Sequence, residues 1–351
     1  TSSMLAWILA EAGLDPGFLV GGVPRDFRVS ARLTGSPFFV IEADEYDTAF
    51  FDKNPKFMHY WPHIAVLGPV EFDHADIYRD LAAVEQAFTW YTRLVPGGGT
   101  MVVHADDEPA RRLAQGATCR LVTCGLGPGL DVAGVDRRDA DGGQTFRVLS
   151  RGTPSGEVRL VLPGEHNARN ALAALAAAEA AGLPIAEAAP LLAEFVPPRR
   201  RLEPIVDADG VRVYDDFAHH PTAVAHTITT LRGFVPRGGR LIACLEPRSN
   251  TMVRALVREA LERALAAADV VYLGPVDRPE RFTEEERLDI AGLAASLRRS
   301  GLRAEGPLDP ADIAARLVGD ARPGDRIVLM SNGAFGGLGA TLERLFAGRK
   351  R

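Results

Sequence analysis

The chain has 351 residues, the length of about two domains at roughly 150 residues each. With 46% hydrophobic and 25% charged residues it has the composition of an ordinary globular protein, and a net charge of -6 argues against nucleic-acid or anionic-membrane partners. No apolar run approaches the length of a membrane span, no signal peptide opens the chain, and Cys119, Cys124 and Cys244 are too few and scattered for a disulfide framework or a zinc site, so a reduced, cytoplasmic setting is expected.

In chain order, TSSMLAWILAEAG predicts a first helix with Met4, Leu5, Ile8 and Leu9 on its apolar face, Ser2 or Ser3 as cap and Gly13 as stop. Apolar runs at 37–43, 63–68, 100–105 and 119–124 read as strands, with helices over 79–94 and 107–115 between some of them. That alternation predicts a parallel sheet covered by helices. From 130 to 163 the pattern changes to short strands with DGG and SG turns, a small antiparallel insert. Two Ala-rich helices follow at 166–181 and 185–195. VPPRRRLEP, 196–204, is the best domain boundary. Beyond it, strands near 211–216, 240–245, 269–273 and 326–330 alternate with helices near 221–232, 253–267, 284–300, 310–319 and 337–347, which predicts a second, smaller doubly wound domain.

The chemistry-bearing residues cluster at the expected strand ends, where open α/β sheets bind ligands. IEADEYDTAFFD places Glu42, Asp44, Glu45, Asp47 and Asp52 just after a strand, and PVEFDHAD places Glu71, Asp73, His74 and Asp76 after the next. Carboxylates with one imidazole suit a hard divalent ion that also holds phosphates, Mg²⁺ or Mn²⁺, and the crowded acids require cations to share their charge. In GEHNARN, Asn167 and Asn170 share one helix face, and Asn170 lies inside the helix, where Asn has poor propensity and an amide can meet a ligand. YDDFAHHP ends a strand in Asp215 and Asp216 and continues through His219 and His220 into a helix opened by Pro221. Arg199, Arg200 and Arg201 form a basic hinge suited to phosphate or carboxylate. LEPRSNTM and the Gly-rich MSNGAFGG each follow a strand, and the second could receive an anion at a helix start.

These segments, from TSSMLAWILAEAGLDPGFLVGGVP through IEADEYDTAFFD, EFDHAD, GEHNARN, RRRLE, VYDDFAHHPTAV and LEPRSNTM to MSNGAFGG, together resemble the Mur ligase family. Within it the pairing of DEYDTAFFDK with LEPRSNTM is most similar to the members that act on a recycled murein tripeptide. The resemblance implies an α/β central ATPase domain over 1–197, with a mostly parallel sheet and a small antiparallel insert, then a Rossmann-like carboxy-terminal α/β domain over 198–351. It implies amide-bond formation between UDP-N-acetylmuramate and L-alanyl-γ-D-glutamyl-meso-diaminopimelate through an acyl phosphate, with ATP and Mg²⁺ as cofactors. By position in the motifs, Glu42 and His74 are implied as metal-site residues and Asn167 and Asn170 as nucleotide contacts. Arg201 and Asp216 are implied as catalytic and nucleotide residues and His219 as catalytic, with Arg248 and Asn250 as contacts to the acceptor peptide. The family's GTHGKT-like phosphate loop would lie just before the first helix here, and no GK[ST] occurs elsewhere, so the chain is expected to begin after that loop and after an amino-terminal UDP-sugar domain, and to be inactive by itself. Gly68–Pro69 stands where the family tends to carry asparagines. Three rival readings are addition of L-alanine instead of the tripeptide, a non-catalytic peptide-binding remnant, and a phosphohydrolase built on Glu42, His74, Asp216 and His219. Acids divided between two domains disfavour the last.

Overall fold

The structure, a computed structural model, describes residues 1–140 and 142–349; Asp141, at the head of the expected DGG turn, and Lys350 and Arg351 lie outside it. The chain divides into two units, Thr1–Arg199 and Arg200–Arg351, each with its own apolar core.

In the first unit, α1 (Ser2–Glu11) buries Met4, Ala6, Ile8 and Leu9. No side chain caps it: Thr1 is at the cap position, and its hydroxyl donates instead to Asn170 Oδ1 at 2.8 Å, so the expected Ser2 or Ser3 cap is corrected. Strands β1 (Gly17–Leu19), β2 (Ala31–Arg32) and β3 (Phe39–Ile41) form a small sheet in the order β2-β1-β3, with β1 and β3 parallel. A hairpin of β4 (Asp47–Ala49) and β5 (Asp52–Pro55) follows. Then come β6 (Ile64–Leu67), α2 (Leu81–Leu94), β7 (Thr100–His104), α3 (Glu108–Ala114), β8 (Arg120–Leu126), β9 (Val132–Ala140), β10 (Gly143–Ser150), β11 (Thr153–Leu160), α4 (Glu165–Ala180) and α5 (Ile185–Leu191).

One expectation changes here. The strand at 37–43 and the strand at 63–68 do not share a sheet, because β3 pairs with β1 while β6 pairs with β7. The expected antiparallel segment over 130–163 is present, and it extends the parallel strands. β9 pairs in parallel with β8, and β10 and β11 continue the same six-stranded sheet, ordered β11-β10-β9-β8-β7-β6. Asp80 and Asp107 start α2 and α3 by accepting from the N–H groups of Ala83 and Ala110. The Ala-rich α4 is buried along most of its length, Ala168 and Ala171–Ala178 included with Leu172 and Leu175, because small side chains let it lie against β7, β8 and β9 and also against α1.

The second unit runs β12 (Glu203–Ala208), β13 (Val211–Asp216), α6 (Pro221–Arg232), β14 (Leu241–Leu245), α7 (Arg258–Leu265), β15 (Val270–Leu273), α8 (Ile290–Arg299), β16 (Arg303–Glu305), α9 (Pro310–Asp320), β17 (Arg326–Met330) and α10 (Leu338–Arg349). Its sheet is ordered β12-β13-β17-β14-β15-β16, parallel throughout except for β12 against β13. Every residue of β14, β15 and β17 is buried, as two-sided cover by helices requires, which is why these strands are apolar but for Arg326 at the start of β17. α8 starts at Ile290, later than the expected 284, because Asp289 caps it on the N–H of Gly292. Placing β17 between β13 and β14 brings three connecting loops side by side at one sheet edge.

Candidate active site

At the first unit's edge, Glu42 leaves β3 with its N–H on the Leu19 carbonyl, 3.0 Å away. Its carboxylate accepts from the N–H of Gly21, and a Cβ on residue 21 would lie 2.7 Å from Glu42 Oε2. The GGVP loop after β1 thus holds this exposed acid.

The crowded acids that follow have cations of their own. Asp44 pairs with Lys56 at 2.8 Å, Asp47 with Lys53 at 2.7 Å, and Asp52 with His59 at 2.9 Å. The two lysines of this hairpin, in a chain whose other basic residues are almost all arginine, sit among the acids. Burial is the strongest single influence on Asp44 and pushes its carboxyl up, but the Lys56 ammonium and the Tyr46 N–H together hold it below the ordinary value. The expectation that only a bound cation makes the run tolerable is therefore corrected for Asp44, Asp47 and Asp52.

His74 adopts a left-handed backbone, φ 53°, and its ring stands edge-on to Tyr46 with centroids 4.3 Å apart. Its Nε2 is 2.8 Å from Glu45 Oε1, and the Tyr78 hydroxyl donates to the Glu45 carbonyl. Burial alone would lower the imidazole pKa; the bond to Glu45 and the charges of Glu45, Asp73 and Asp76 outweigh it and raise it. Glu42 and His74 are thus held by different partners, Gly21 and Glu45. Among the described residues, no three His, Cys, Asp or Glu side chains converge as a metal cage. Hard oxygen donors with an exposed Glu42 fit a Mg²⁺ ion that keeps waters and arrives with phosphates, since such ions need only one or two protein carboxylates.

On α4, Asn167 Nδ2 donates to the Pro163 carbonyl at 2.8 Å, and Asn170 Oδ1 accepts from Thr1. The first amide ties the helix to the preceding loop and the second ties it to the start of α1, so part of each is engaged within the protein.

In the second unit, Asp216 ends β13 almost wholly buried. It accepts from Leu202 N–H at 2.8 Å, Ala218 N–H at 2.9 Å and the Thr227 hydroxyl at 3.1 Å. Burial dominates and raises its pKa against those bonds. Asp216 is thereby fixed as an organiser of its loop. His219 Nδ1 lies 2.8 Å from the Phe217 carbonyl; a carbonyl only accepts, so Nδ1 carries the proton and Nε2 is the basic nitrogen of the neutral ring.

Of the arginine cluster, Arg200 makes the contacts the sequence did not single out. Its Nε is 3.1 Å from Asp215 Oδ2 and its Nη2 is 2.6 Å from the Ser331 carbonyl. Arg201 is exposed, with its guanidinium over the Phe217 ring at 5.7 Å. The Arg248 guanidinium lies 3.5 Å from Asp277, and the Asn250 carbonyl accepts from Arg254. The Ser249 hydroxyl donates to the His219 carbonyl, joining the LEPRSN loop to the His219 loop. The contacts of Gly21, Glu45, Arg200 and Ser331 could not be read from the sequence, because each partner lies far along the chain; Glu45 and Arg200 stood out only as members of the acidic run and of the RRR run.

Two α/β units whose parallel sheets carry acids, an imidazole, amides and arginines at their carboxyl edges define a two-unit α/β enzyme. The chain belongs to the Mur ligase family: the Mur ligase middle domain matches residues 1–178, and the Mur ligase glutamate ligase domain matches 200–333. It is 44% identical over 340 residues to the UDP-N-acetylmuramate–L-alanyl-γ-D-glutamyl-meso-2,6-diaminoheptandioate ligase of Escherichia coli, covering 96% of this chain and 71% of that protein. It is 37% identical over 336 residues to the UDP-N-acetylmuramate–L-alanine ligase of Acidothermus cellulolyticus, covering 95% of this chain and 68% of that protein. Among solved structures, the murein peptide ligase of Psychrobacter arcticus superposes with a TM-score of 0.69 at 32% identity, over 98% of this chain and 74% of that one. Among the described residues no helix is long and apolar enough to cross a membrane.

Proposed function

We propose that the protein joins UDP-N-acetylmuramate to the tripeptide L-alanyl-γ-D-glutamyl-meso-diaminopimelate in an ATP-dependent ligation. One observation carries this choice within the family: identity to the tripeptide ligase reaches 44% across 96% of the chain, against 37% for the L-alanine ligase.

In this reading the first unit's edge activates the muramyl carboxylate. Glu42, fixed by Gly21, and His74, fixed by Glu45, are the residues that would hold Mg²⁺, which when bound neutralises phosphate charge. Asn167 and Asn170 approach the nucleotide from α4. The second unit receives the acceptor. Arg201, exposed on the Phe217 ring, supplies a mobile positive charge for phosphate or carboxylate, while Asp216 holds the loop that carries His219. His219, protonated on Nδ1, would take a proton from the L-alanyl ammonium on Nε2, leaving the neutral amine as nucleophile. Arg248 and Asn250 contact the peptide. The amine of L-alanine in the tripeptide attacks the acyl phosphate, an amide forms, and inorganic phosphate leaves.

The test is an assay of the full-length gene product for phosphate release and product mass. Phosphate release that requires ATP, UDP-N-acetylmuramate and tripeptide together, with the tripeptide adduct as product, is expected. Efficient turnover with L-alanine in place of the tripeptide would assign the chain to the alanine-adding reaction, and phosphoester hydrolysis without ATP would refute ligation.

A further inference from the structure

The chain contains one Asn–Gly step, Asn332–Gly333, in the loop after β17. Such a step carries a chemistry of its own. The Gly333 backbone nitrogen, once it has lost its proton, can attack Asn332 Cγ. A C–N bond forms to the backbone, the bond to the side-chain nitrogen breaks, and that nitrogen leaves as ammonia with the proton, so that a cyclic imide remains. Water then opens either carbonyl of the imide and gives aspartate or its β-linked isomer, isoaspartate. Glycine favours the attack, because it has no Cβ to hinder its nitrogen and its backbone turns freely.

The fold opposes each part of this reaction. The Gly333 N–H donates to Ser331 Oγ at 2.8 Å, and the Ser331 hydroxyl in turn donates to the Glu246 carboxylate. A hydrogen-bond chain that ends on a carboxylate is polarised along its length, so the serine oxygen holds the glycine proton more firmly. The backbone of Ser331 is pinned as well: its N–H donates to the Asp216 carbonyl at 3.2 Å and its carbonyl accepts from Arg200 at 2.6 Å. Attack at Cγ would place negative charge on Asn332 Oδ1, and that oxygen is buried and meets no donor. A developing oxyanion without donors gains no stabilisation. The Arg248 stem crosses Gly333 so closely that a Cβ there would collide with Arg248 Cδ and lie 2.5 Å from Nε, which packs the glycine against that side chain.

We infer that Asn332 is a latent deamidation site, kept silent in the folded protein by the hydrogen-bond chain from Gly333 through Ser331 to Glu246. Breaking that chain opens the site to imide formation. The inference stands apart from the ligase reading, because it concerns only the bonds within this loop.

The experiment follows Asn332 by peptide mass mapping while the full-length protein is held in mildly alkaline buffer, with isoaspartate read by enzymatic methyl transfer. The folded protein, the same protein unfolded in urea, and a folded Ser331→Ala variant are compared. In urea Asn332 should convert and yield isoaspartate, and in the folded protein it should convert at least about tenfold more slowly. Ser331→Ala should raise the folded rate about tenfold, the effect of one lost hydrogen bond on a barrier. Asn250, which precedes Thr251 in the loop after β14, is the control and should keep its rate in the variant. The inference is overturned by absence of isoaspartate in urea, by equal rates in the folded and unfolded protein, by a Ser331→Ala rate equal to the unaltered one, or by a rise that Asn250 shares. Should Ser331→Ala fail to fold, Glu246→Gln, which removes the charge at the end of the chain, is read by the same criteria.

Discussion

The Glu42 carboxylate accepts its hydrogen bond from the backbone N–H of Gly21, and the space that a Cβ on residue 21 would need is already filled by Glu42 Oε2 at 2.7 Å. A loop residue twenty-one positions upstream thereby sets where this acid points. Gly21→Ala should displace the carboxylate without disturbing the core, since residue 21 is exposed. The expected result is a fall in kcat of about tenfold to a hundredfold, the range for a misplaced reacting group, with unfolding midpoint nearly unchanged. Steady-state kinetics beside a thermal melt decides it; an unaltered kcat would remove Glu42 from the proposed site.

Arg200 and Arg201 are adjacent and differ in role. Arg200→Ala removes the bonds to Asp215 and the Ser331 carbonyl and should destabilise the protein by about 1–3 kcal/mol, toward the low end because both members of the ion pair keep some exposure. Arg201→Ala should change stability by less than about 0.5 kcal/mol and lower activity instead. Urea unfolding of both variants, read against their turnover, would expose a reversed assignment.

Leu172 is fully buried among the alanines of α4. Leu172→Ala should cost about 2–5 kcal/mol by opening a cavity that the surrounding small side chains cannot fill. Ala174→Leu, at an equally buried position, should cost about 1–3 kcal/mol by overpacking. Denaturant midpoints test both, and tolerance of the larger residue would mean that α4 is less closely packed than described.

His104, at the end of β7, is buried, its Nδ1 meets no partner, and its pKa falls from 6.5 to about 4, burial being the main cause and the Thr1 amino group the next, with Asp106 opposing and Arg169 reinforcing. The folded state therefore binds this proton less readily than the unfolded chain does. Stability from this residue is fully present above pH 6.5 and is lost as pH falls from 6.5 toward 4, on the order of 3 kcal/mol in all. In His104→Gln that part of the acid limb should disappear, which a series of melts between pH 7 and pH 4 would reveal.

Much of this architecture was legible because the second unit's strands are buried on both faces. The apolar run LIACL, and IVLM behind Arg326, mark β14 and β17 within a residue of their observed ends. The shortest elements were not legible. β1, β2 and β16 have two or three residues each, and their pairing depends on neighbours far along the chain. The site divides in the same way. Residue type and strand-end position drew attention to Glu42, His74, Asp216 and His219, since carboxylates and imidazoles stand out after an apolar run, whereas Arg248 came only with the family resemblance. What each of them touches was not readable.

The sequence by itself determined the alternation of elements and the set of polar groups at the strand ends, because side-chain periodicity and turn chemistry are local properties. Only the tertiary structure decided that β3 and β6 belong to different sheets, that lysines share the charge of the acidic hairpin, that Arg200 and not Arg201 ties β13 to the loop after β17, and that Asn332 keeps a buried oxygen unmet. Each of those depends on groups brought together across many residues of chain, where strand order and close packing, and not spacing in sequence, set which atoms meet.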